Sequence, residues 1–210
     1  MDYQLQINNN TQQPGSFVIF QTTRAPGPYS VAWQSKYTYP STTLTFKWTA
    51  NYDFIWSSTA QLTPGVVFQA AQAISATPQT NRITLSYDLG HHAFYFQNQT
   101  EGTQAGTFQI QVDSSVPVNA VAVGIGMDSK PTFAIGGQPN MNFQFEIPPA
   151  NTYWVAFTSG TEQGEVLDRE TLNPVEVVFP INVDSMTVTL NPDLTWKVVP
   201  NHLLKATEEG

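Results

Sequence analysis

The chain has 210 residues and carries 8 Lys and Arg against 16 Asp and Glu, which gives a net charge of −8. Thr, Gln, Asn and Ser together fill 70 of the 210 positions, whereas charged residues make up only 11%. This composition excludes a coiled coil, which needs abundant charged residues in heptads, and the 12% aromatic content is too high for a disordered chain.

The few basic residues are scattered singly between Arg24 and Lys205. We therefore predict no nucleic-acid partner, because counterion release needs several basic groups on one face. No apolar stretch approaches the ~20 residues of a membrane span, and the first residues lack the apolar segment of a secretory signal. The chain has no cysteine to form disulfides or thiolate metal sites. From the missing signal and span we expect a soluble, cytoplasmic protein without a transmembrane segment, with non-classical export as the alternative.

Short runs rich in Val, Ile, Phe, Thr and Tyr recur about every ten residues, separated by Pro, Gly, Asn and Asp, as is typical of strands joined by tight turns. About fourteen strands are predicted in this way, at residues 3–7, 16–22, 42–49, 66–73, 82–87, 93–97, 106–112, 121–127, 132–135, 142–147, 152–158, 175–179, 185–190 and 195–199. Helical periodicity is nearly absent, although segments 68–74 and 164–172 have compositions that helices also use.

Alternation of apolar and polar residues assigns faces to several of these strands. Leu44, Phe46 and Trp48 alternate with polar residues and should face a core. The same pattern at 108–112 and 143–147 predicts buried Phe and Ile side chains backed by solvated Gln. The sequence therefore predicts an all-β fold, a single-domain antiparallel β-sandwich of jelly-roll type over residues 3–199, with a short polar tail at 200–210.

Two mainly apolar runs, 121–127 and 175–179, the second with Glu176 inside it, predict central strands that are covered on both faces or lie in an interface. The first run contains Gly124 and Gly126 and is followed by Asp128, Ser129 and Lys130, which superficially resembles a phosphate-binding loop. The Gly-Lys-Ser/Thr ending is missing and no helix follows, as such a loop requires. Glycines in a strand more simply permit close packing or a bulge.

Several short sequence motifs occur in the following order along nearly the whole chain, from about residue 3 to residue 199. They are W33 with KY (36–37), TFKW (45–48), YDFIW (52–56), LTPGV (62–66), VGIGM (123–127), PTF (131–133), YW (153–154), GEVLD (164–168), SMT (185–187), LNPD (190–193) and TW (195–196). In this order the chain resembles the RhiA-like proteins of bacteria and fungi, named after a rhizosphere-expressed, quorum-regulated bacterial product. The resemblance implies a single-domain β protein and supplies no functional residue, because no site is established for that family.

Two polar clusters are candidate ion sites. His91 and His92 follow Asp88 at an apparent turn, which suggests a metal ligand set or a pH-sensitive pair. Adjacent side chains on a strand point to opposite faces, so a simple polar turn explains them as well. Residues 162–170 hold four carboxylates, which suits calcium, but the spacing of a calcium loop is missing and a solvated loop is the simpler explanation.

Aromatic residues suggest a different kind of site. Five tryptophans are spread along the chain, at Trp33, Trp48, Trp56, Trp154 and Trp196. Exposed rings beside amides and carboxylates bind sugars, by stacking on the apolar faces of the sugar rings. We therefore take Tyr52, Asp53, Trp56 and His91 as candidate ligand-binding residues. The alternative is that the large rings fill the core of the sandwich.

No motif in the chain identifies a catalytic activity, and no cofactor is predicted. The first hypothesis is a non-enzymatic protein that self-associates into a homo-oligomer or ordered intracellular assembly with a structural role. It is based on the low charge of the strands, since charge is one device that prevents edge-to-edge pairing of sheets. The alternative hypothesis is a lectin-like module that binds a glycan or small neutral ligand through exposed aromatic and amide groups.

Overall fold

The computed structural model describes residues 2–23, 26–146 and 149–201. Within these ranges the chain forms strands and no helix, so the expectation of an all-β fold is confirmed. In chain order the strands are β1 (Asp2–Asn9), β2 (Gly15–Phe20), β3 (Tyr29–Ser30), β4 (Gln34–Thr38), β5 (Thr42–Thr49), β6 (Tyr52–Ser57), β7 (Gln72–Ala76), β8 (Arg82–Asp88), β9 (Ala93–Thr100), β10 (Thr107–Val112), β11 (Val121–Met127), β12 (Lys130–Gly137), β13 (Met141–Glu146), β14 (Thr152–Thr158), β15 (Val175–Val178), β16 (Ser185–Leu190) and β17 (Trp196–Pro200).

The strands are arranged in four sheets. Sheet A has the order β17-β16-β1-β5, sheet B the order β15-β14-β2-β4, sheet C the order β3-β12-β11-β6-β7 and sheet D the order β13-β10-β8-β9. Neighbouring strands are antiparallel except for two parallel pairs, β1 with β16 and β8 with β10. Both parallel pairs join strands that are separated by other elements in the chain, as parallel pairing requires.

The sheets pack face to face in two pairs. Tyr3 of sheet A lies 6.0 Å from Tyr153 of sheet B, measured between ring centroids, and the two rings meet edge to face. Phe54 of sheet C lies 5.7 Å from Phe108 of sheet D in the same arrangement. Such contacts contribute about 1 kcal/mol each beyond the burial of their area. The two sandwich interfaces confirm the predicted sandwich, with more strands than expected.

Trp33 joins the two sandwiches. Its indole N–H donates a hydrogen bond to the backbone oxygen of Met127 in sheet C, at 2.9 Å. Its ring lies 5.5 Å from Trp48 of sheet A and 6.0 Å from Tyr153 of sheet B. The inner faces of all four sheets therefore meet in one continuous core, of which Trp33 is a fully buried member.

Loops cover the outer faces of sheets B and C. Leu62, Phe68 and Val166 pack on the outer face of sheet C, and Leu167 packs on that of sheet B. As a result β11 is buried at every residue, which confirms the expectation for run 121–127.

Run 175–179 is not covered on both faces, so this part of the expectation is wrong. In β15 only Val177 is buried, and Val178 is 45% exposed. β15 is an outer strand of sheet B, and the exposed Glu176 interrupts its apolar run. The interface alternative for this run stays a prediction.

Other local expectations were also corrected. The strand predicted at 66–73 is wrong, because the strand in this region is β7 and Val67 forms only an isolated bridge to Glu165. Strands β3, β4 and β6 were not predicted. Neither 68–74 nor 164–172 is helical. Gln109, expected to be solvated, is 2% exposed, whereas Gln144 is exposed as predicted.

The predicted C-terminal tail lies mostly outside the described residues. Pro200 ends β17, and the N–H of Asn201 donates to the backbone oxygen of Ser185 at 2.8 Å. Among the described residues, no helix is long and apolar enough to cross a membrane.

Gly124 and Gly126 allow β11 to pack closely against β12. A Cβ atom on Gly124 would overlap the backbone oxygen of Phe133, and one on Gly126 would overlap that of Lys130. The register between the two strands shifts between Ile125 and Gly126. The close-packing explanation of these glycines is therefore confirmed.

We expect Gly124→Ala to lower the free energy of unfolding by about 3 kcal/mol, because two central strands must separate to admit the methyl group. Gly160→Ala is the matched control: a Cβ there meets nothing within 4 Å, so the change should stay within about 0.5 kcal/mol. Urea denaturation of both variants provides the measurement. Wild-type stability of Gly124→Ala would contradict the close approach of β11 and β12.

Candidate functional site

Outer strands of open sheets carry backbone N–H and C=O groups that need partners or protection. Four of the outer strands are joined in two pairs by hydrogen bonds from side chains. The ammonium group of Lys36 on β4 donates to the backbone oxygen of Thr45 on β5. Gln99 on β9 donates through Nε2 to the backbone oxygen of Ser75 on β7 at 2.6 Å. These contacts close one side of each sandwich.

Three further outer strands are short or protected. Strand β3 has two residues and β15 has four, one of which is the exposed Glu176. Strand β17 contains the exposed Lys197 and ends at Pro200. A lysine and a proline are the residues that most often prevent an edge strand from pairing with another chain.

Strand β13 is the least protected outer strand, because its one charged residue is Glu146 at its end. It has six residues, contains no Lys, Arg or Pro, and within the described residues pairs only with β10. Phe143 and Phe145 face the core, and Asn142, Gln144 and Glu146 are exposed on the other face. The outer side of β13 is therefore a nearly uncharged backbone edge.

The face behind this edge is rich in amides. Gln144 lies opposite Gln109 of β10, and Asn142 lies opposite Gln111. The guanidinium group of Arg82 on β8 donates to Oε1 of Gln111 at 2.7 Å. A chain that pairs with β13 would thus lie beside the exposed amides of Asn142 and Gln144.

Tyr52 and Trp56, two of the candidate ligand-binding residues, lie on one face of β6 and contact different neighbours. Tyr52 is buried, and Nε2 of Gln21 donates to its hydroxyl at 3.3 Å. Burial raises the pKa of Tyr52 to about 12, although the bond from Gln21 acts in the opposite direction. Trp56 is half-buried, and its indole N–H donates to Oε1 of Gln72 at 2.9 Å.

Asp53 points to the opposite face of β6, as strand alternation requires. Its Oδ2 accepts a hydrogen bond from the backbone N–H of Ser129 at 2.8 Å. Burial raises the pKa of Asp53, and the bond from Ser129 partly offsets this effect. The structure therefore does not bring Asp53 into one site with Tyr52 and Trp56.

His91, the fourth candidate, is exposed in the turn between β8 and β9. Its Nδ1 lies 2.7 Å from Oδ2 of Asp88, and hydrogen bonds to His91 lower the pKa of Asp88. His92 turns away and lies 3.2 Å through Nδ1 from the hydroxyl of Tyr87. In the part of the chain that the structure describes, no three His, Cys, Asp or Glu side chains are placed to hold a metal ion.

The acidic stretch at 162–170 forms turns in the loop over sheets B and C. Oε2 of Glu165 accepts from the backbone N–H of Glu162 at 3.0 Å. Oδ1 of Asp168 accepts from the backbone N–H of Glu170 at 3.2 Å. These carboxylates stabilise the turns of the loop, which agrees with the simpler explanation of this stretch as a solvated loop.

A groove on the outer face of sheet B was not predicted. Its volume is about 420 Å³, and we call it the Trp154 groove; it is lined by Phe20, Thr22, Trp154, Arg169, Glu170 and Pro174. Trp154 lies opposite Phe20 across β14 and β2. Tyr153 and Val155 are buried on the inner face, so alternation along β14 was the signal that placed Trp154 outside.

Comparison with known proteins supports the resemblance seen in the sequence. A family model described as RhiA matches residues 1–201. The curated Protein RhiA of Rhizobium leguminosarum bv. viciae is 32% identical over 206 residues, which cover 94% of this chain and 86% of that protein. No solved structure matches the chain significantly. Neither RhiA description states an activity, ligand or partner.

Burial of Tyr52 predicts a specific loss of stability at alkaline pH. The unfolded chain releases the phenolic proton near pH 10, whereas the folded chain retains it up to about pH 12. This contribution to stability is therefore complete below pH 10 and is lost as the pH rises towards 12, with a slope of at most about 1.4 kcal/mol per pH unit.

Urea denaturation at a series of pH values measures this slope. Tyr52→Phe should flatten the decline between pH 10 and 12, while Tyr39→Phe, at a side chain that is 66% exposed, should leave it as in the wild type. Part of the decline should persist in Tyr52→Phe, because burial also raises the pKa of Tyr153. Identical slopes in Tyr52→Phe and the wild type would contradict the burial of this phenol.

Proposed function

The chain belongs to the RhiA family, and we propose that it is a non-enzymatic protein that self-associates into a homo-oligomer or larger ordered assembly in the cytoplasm, with a structural role. The observation that carries the proposal is β13, a six-residue outer strand that bonds on one side only among the described residues. The partner is a second copy of the same chain.

Strand β13 is complementary to itself. Opposite residues of an antiparallel pair lie on the same face, so a pairing centred on Gln144 places this residue opposite its own copy. Phe143 then lies opposite Phe145, and Asn142 lies opposite Glu146. No like charges meet in this register, and the phenylalanines of both copies remain on the core side. Two copies of sheet D would become one sheet of eight strands.

The low charge of this edge matters because whole copies repel each other. Each chain carries a net charge of −8, so contact is favoured where the local charge is smallest. Glu146 is the single charged residue of β13, and the register above places it against an amide. One such contact has two-fold symmetry and closes a dimer; a larger assembly requires a second contact.

Lectin-like binding at the four candidate residues has less support. Tyr52 and Asp53 lie on opposite faces of β6, and His91 lies in the turn between β8 and β9. A sugar needs an aromatic platform and polar groups on one surface, and these residues do not form one.

Single-cysteine variants test the register directly, because the chain has no cysteine of its own. In the two-fold pairing, the Cα atoms of Gln144 and its copy are about 5 Å apart, within reach of a disulfide. The two copies of Asn142 are about 14 Å apart, four residues along the strand.

Mild oxidation of concentrated protein should therefore link Gln144→Cys into a disulfide dimer and leave Asn142→Cys mostly unlinked. Non-reducing gel electrophoresis measures the linked fraction. Both side chains are exposed on the same strand, so a difference reports the register. Equal linking of the two variants, or none in either, would contradict this pairing.

A charge at the centre of the contact should weaken assembly. Gln144→Lys places two positive charges opposite each other, and we expect the dissociation constant to rise at least about tenfold. The control is Gln4→Lys on β1, which adds the same charge to a strand paired on both sides. Sedimentation equilibrium measures both variants. A wild-type chain that stays monomeric at high concentration would refute the proposed function.

A further inference from the structure

Trp154 supplies the aromatic surface of the Trp154 groove. Trp154 is half-buried, and Phe20, opposite it on β2, is 1% exposed. Leu167 and Leu172 pack in the same cluster. These neighbours pack against Trp154, and the part of the indole ring that lines the groove offers an apolar surface for stacking.

The rim of the groove is held by hydrogen bonds on two sides. Oδ1 of Asp168 accepts from the N–H of Glu170 at 3.2 Å, and the backbone oxygen of Asp168 accepts from the N–H of Thr171 at 3.2 Å. On the other side, the indole N–H of Trp196 donates to the backbone oxygen of Asn173 at 3.1 Å, just before Pro174. A rim fixed in this way loses little conformational entropy when a ligand binds.

The polar groups of the groove are available to a ligand. Within the described residues, no hydrogen bond or ion pair engages the side chains of Thr22, Arg169 or Glu170, or the indole N–H of Trp154. The guanidinium group offers donors, the carboxylate offers acceptors, and the hydroxyl offers both. The groove thus combines an apolar surface with donors and acceptors that have no partner among the described residues.

The charges of the groove indicate a neutral ligand. Arg169 and Glu170 carry opposite charges and are both exposed at the rim. An anion or a cation would meet one like charge, whereas a hydroxyl group donates to the carboxylate and accepts from the guanidinium group. The volume of about 420 Å³ lies in the range of ligand pockets.

We propose that the Trp154 groove binds a neutral saccharide, with one sugar ring stacked on Trp154 and its hydroxyl groups bonded to Arg169, Glu170 and Thr22. The site is on sheet B, whereas β13 belongs to sheet D. The inference therefore does not depend on self-association, and each can fail without the other.

Ligand-detected saturation-transfer NMR on the full chain tests this site, with cellobiose, chitobiose, lactose and mannobiose as probes and sialyllactose as the charged comparison. At least one neutral disaccharide should give a saturable signal up to about 10 mM, where a millimolar site is mostly filled. Trp154→Ala should lower the affinity at least about tenfold. Tyr95→Ala, which removes an aromatic ring that is 40% exposed on β9 of sheet D, should leave it unchanged.

Two conservative variants keep the test decisive if the loss of an indole ring disturbs folding. Arg169→Gln and Glu170→Gln change exposed side chains, and each should weaken binding by about three- to tenfold. Absence of a saturable signal with all four neutral disaccharides would overturn the proposal. Full affinity in Trp154→Ala, or binding of sialyllactose alone, would also overturn it.

Discussion

Satisfaction of the backbone at sheet edges is the constraint on which this structure depends. Four open sheets have eight outer strands, and each exposes a row of N–H and C=O groups. Side chains connect β4 to β5 and β7 to β9, Lys197 and Pro200 protect β17, and β3 and β15 are short. Strand β13 has only one charged residue, Glu146 at its end, and no lysine or proline. Pairing with a second copy would satisfy its backbone, which is why the proposed function is based on this strand.

The absence of cysteine makes packing the main source of stability, and packing explains the loops. Sheets B and C are apolar on both faces, so the loops that carry Phe68 and Leu167 must cover their outer sides. These loops cover only part of the outer face of sheet B. Where the cover ends beside β14, Trp154 is only half-buried and lines the groove. The proposed saccharide site is thus a consequence of how the outer face of sheet B is buried.

Local sequence patterns predicted most of the strands, but they did not predict which strands are neighbours in a sheet. Alternation of apolar and polar residues correctly predicted that Phe46 and Trp48 are buried. The same rule, applied to β6, would have placed Asp53 and Tyr52 on opposite faces. Runs 121–127 and 175–179 are both rich in apolar residues but differ in burial. Loops cover the outer face of sheet C over β11, whereas β15 is an outer strand and carries the exposed Glu176. The pairing of β1 with β16 is non-local and leaves no local signal. The Trp154 groove depends equally on loops that are distant in sequence.

Amide hydrogen exchange as a function of protein concentration tests the central claim, that the free edge of β13 pairs with a second copy. The outward amides of residues 141–146 should exchange at least about tenfold more slowly in concentrated than in dilute protein, since pairing removes them from water. The amides of β17 serve as the internal reference and should not change. Exchange in β13 that is independent of concentration would contradict the account.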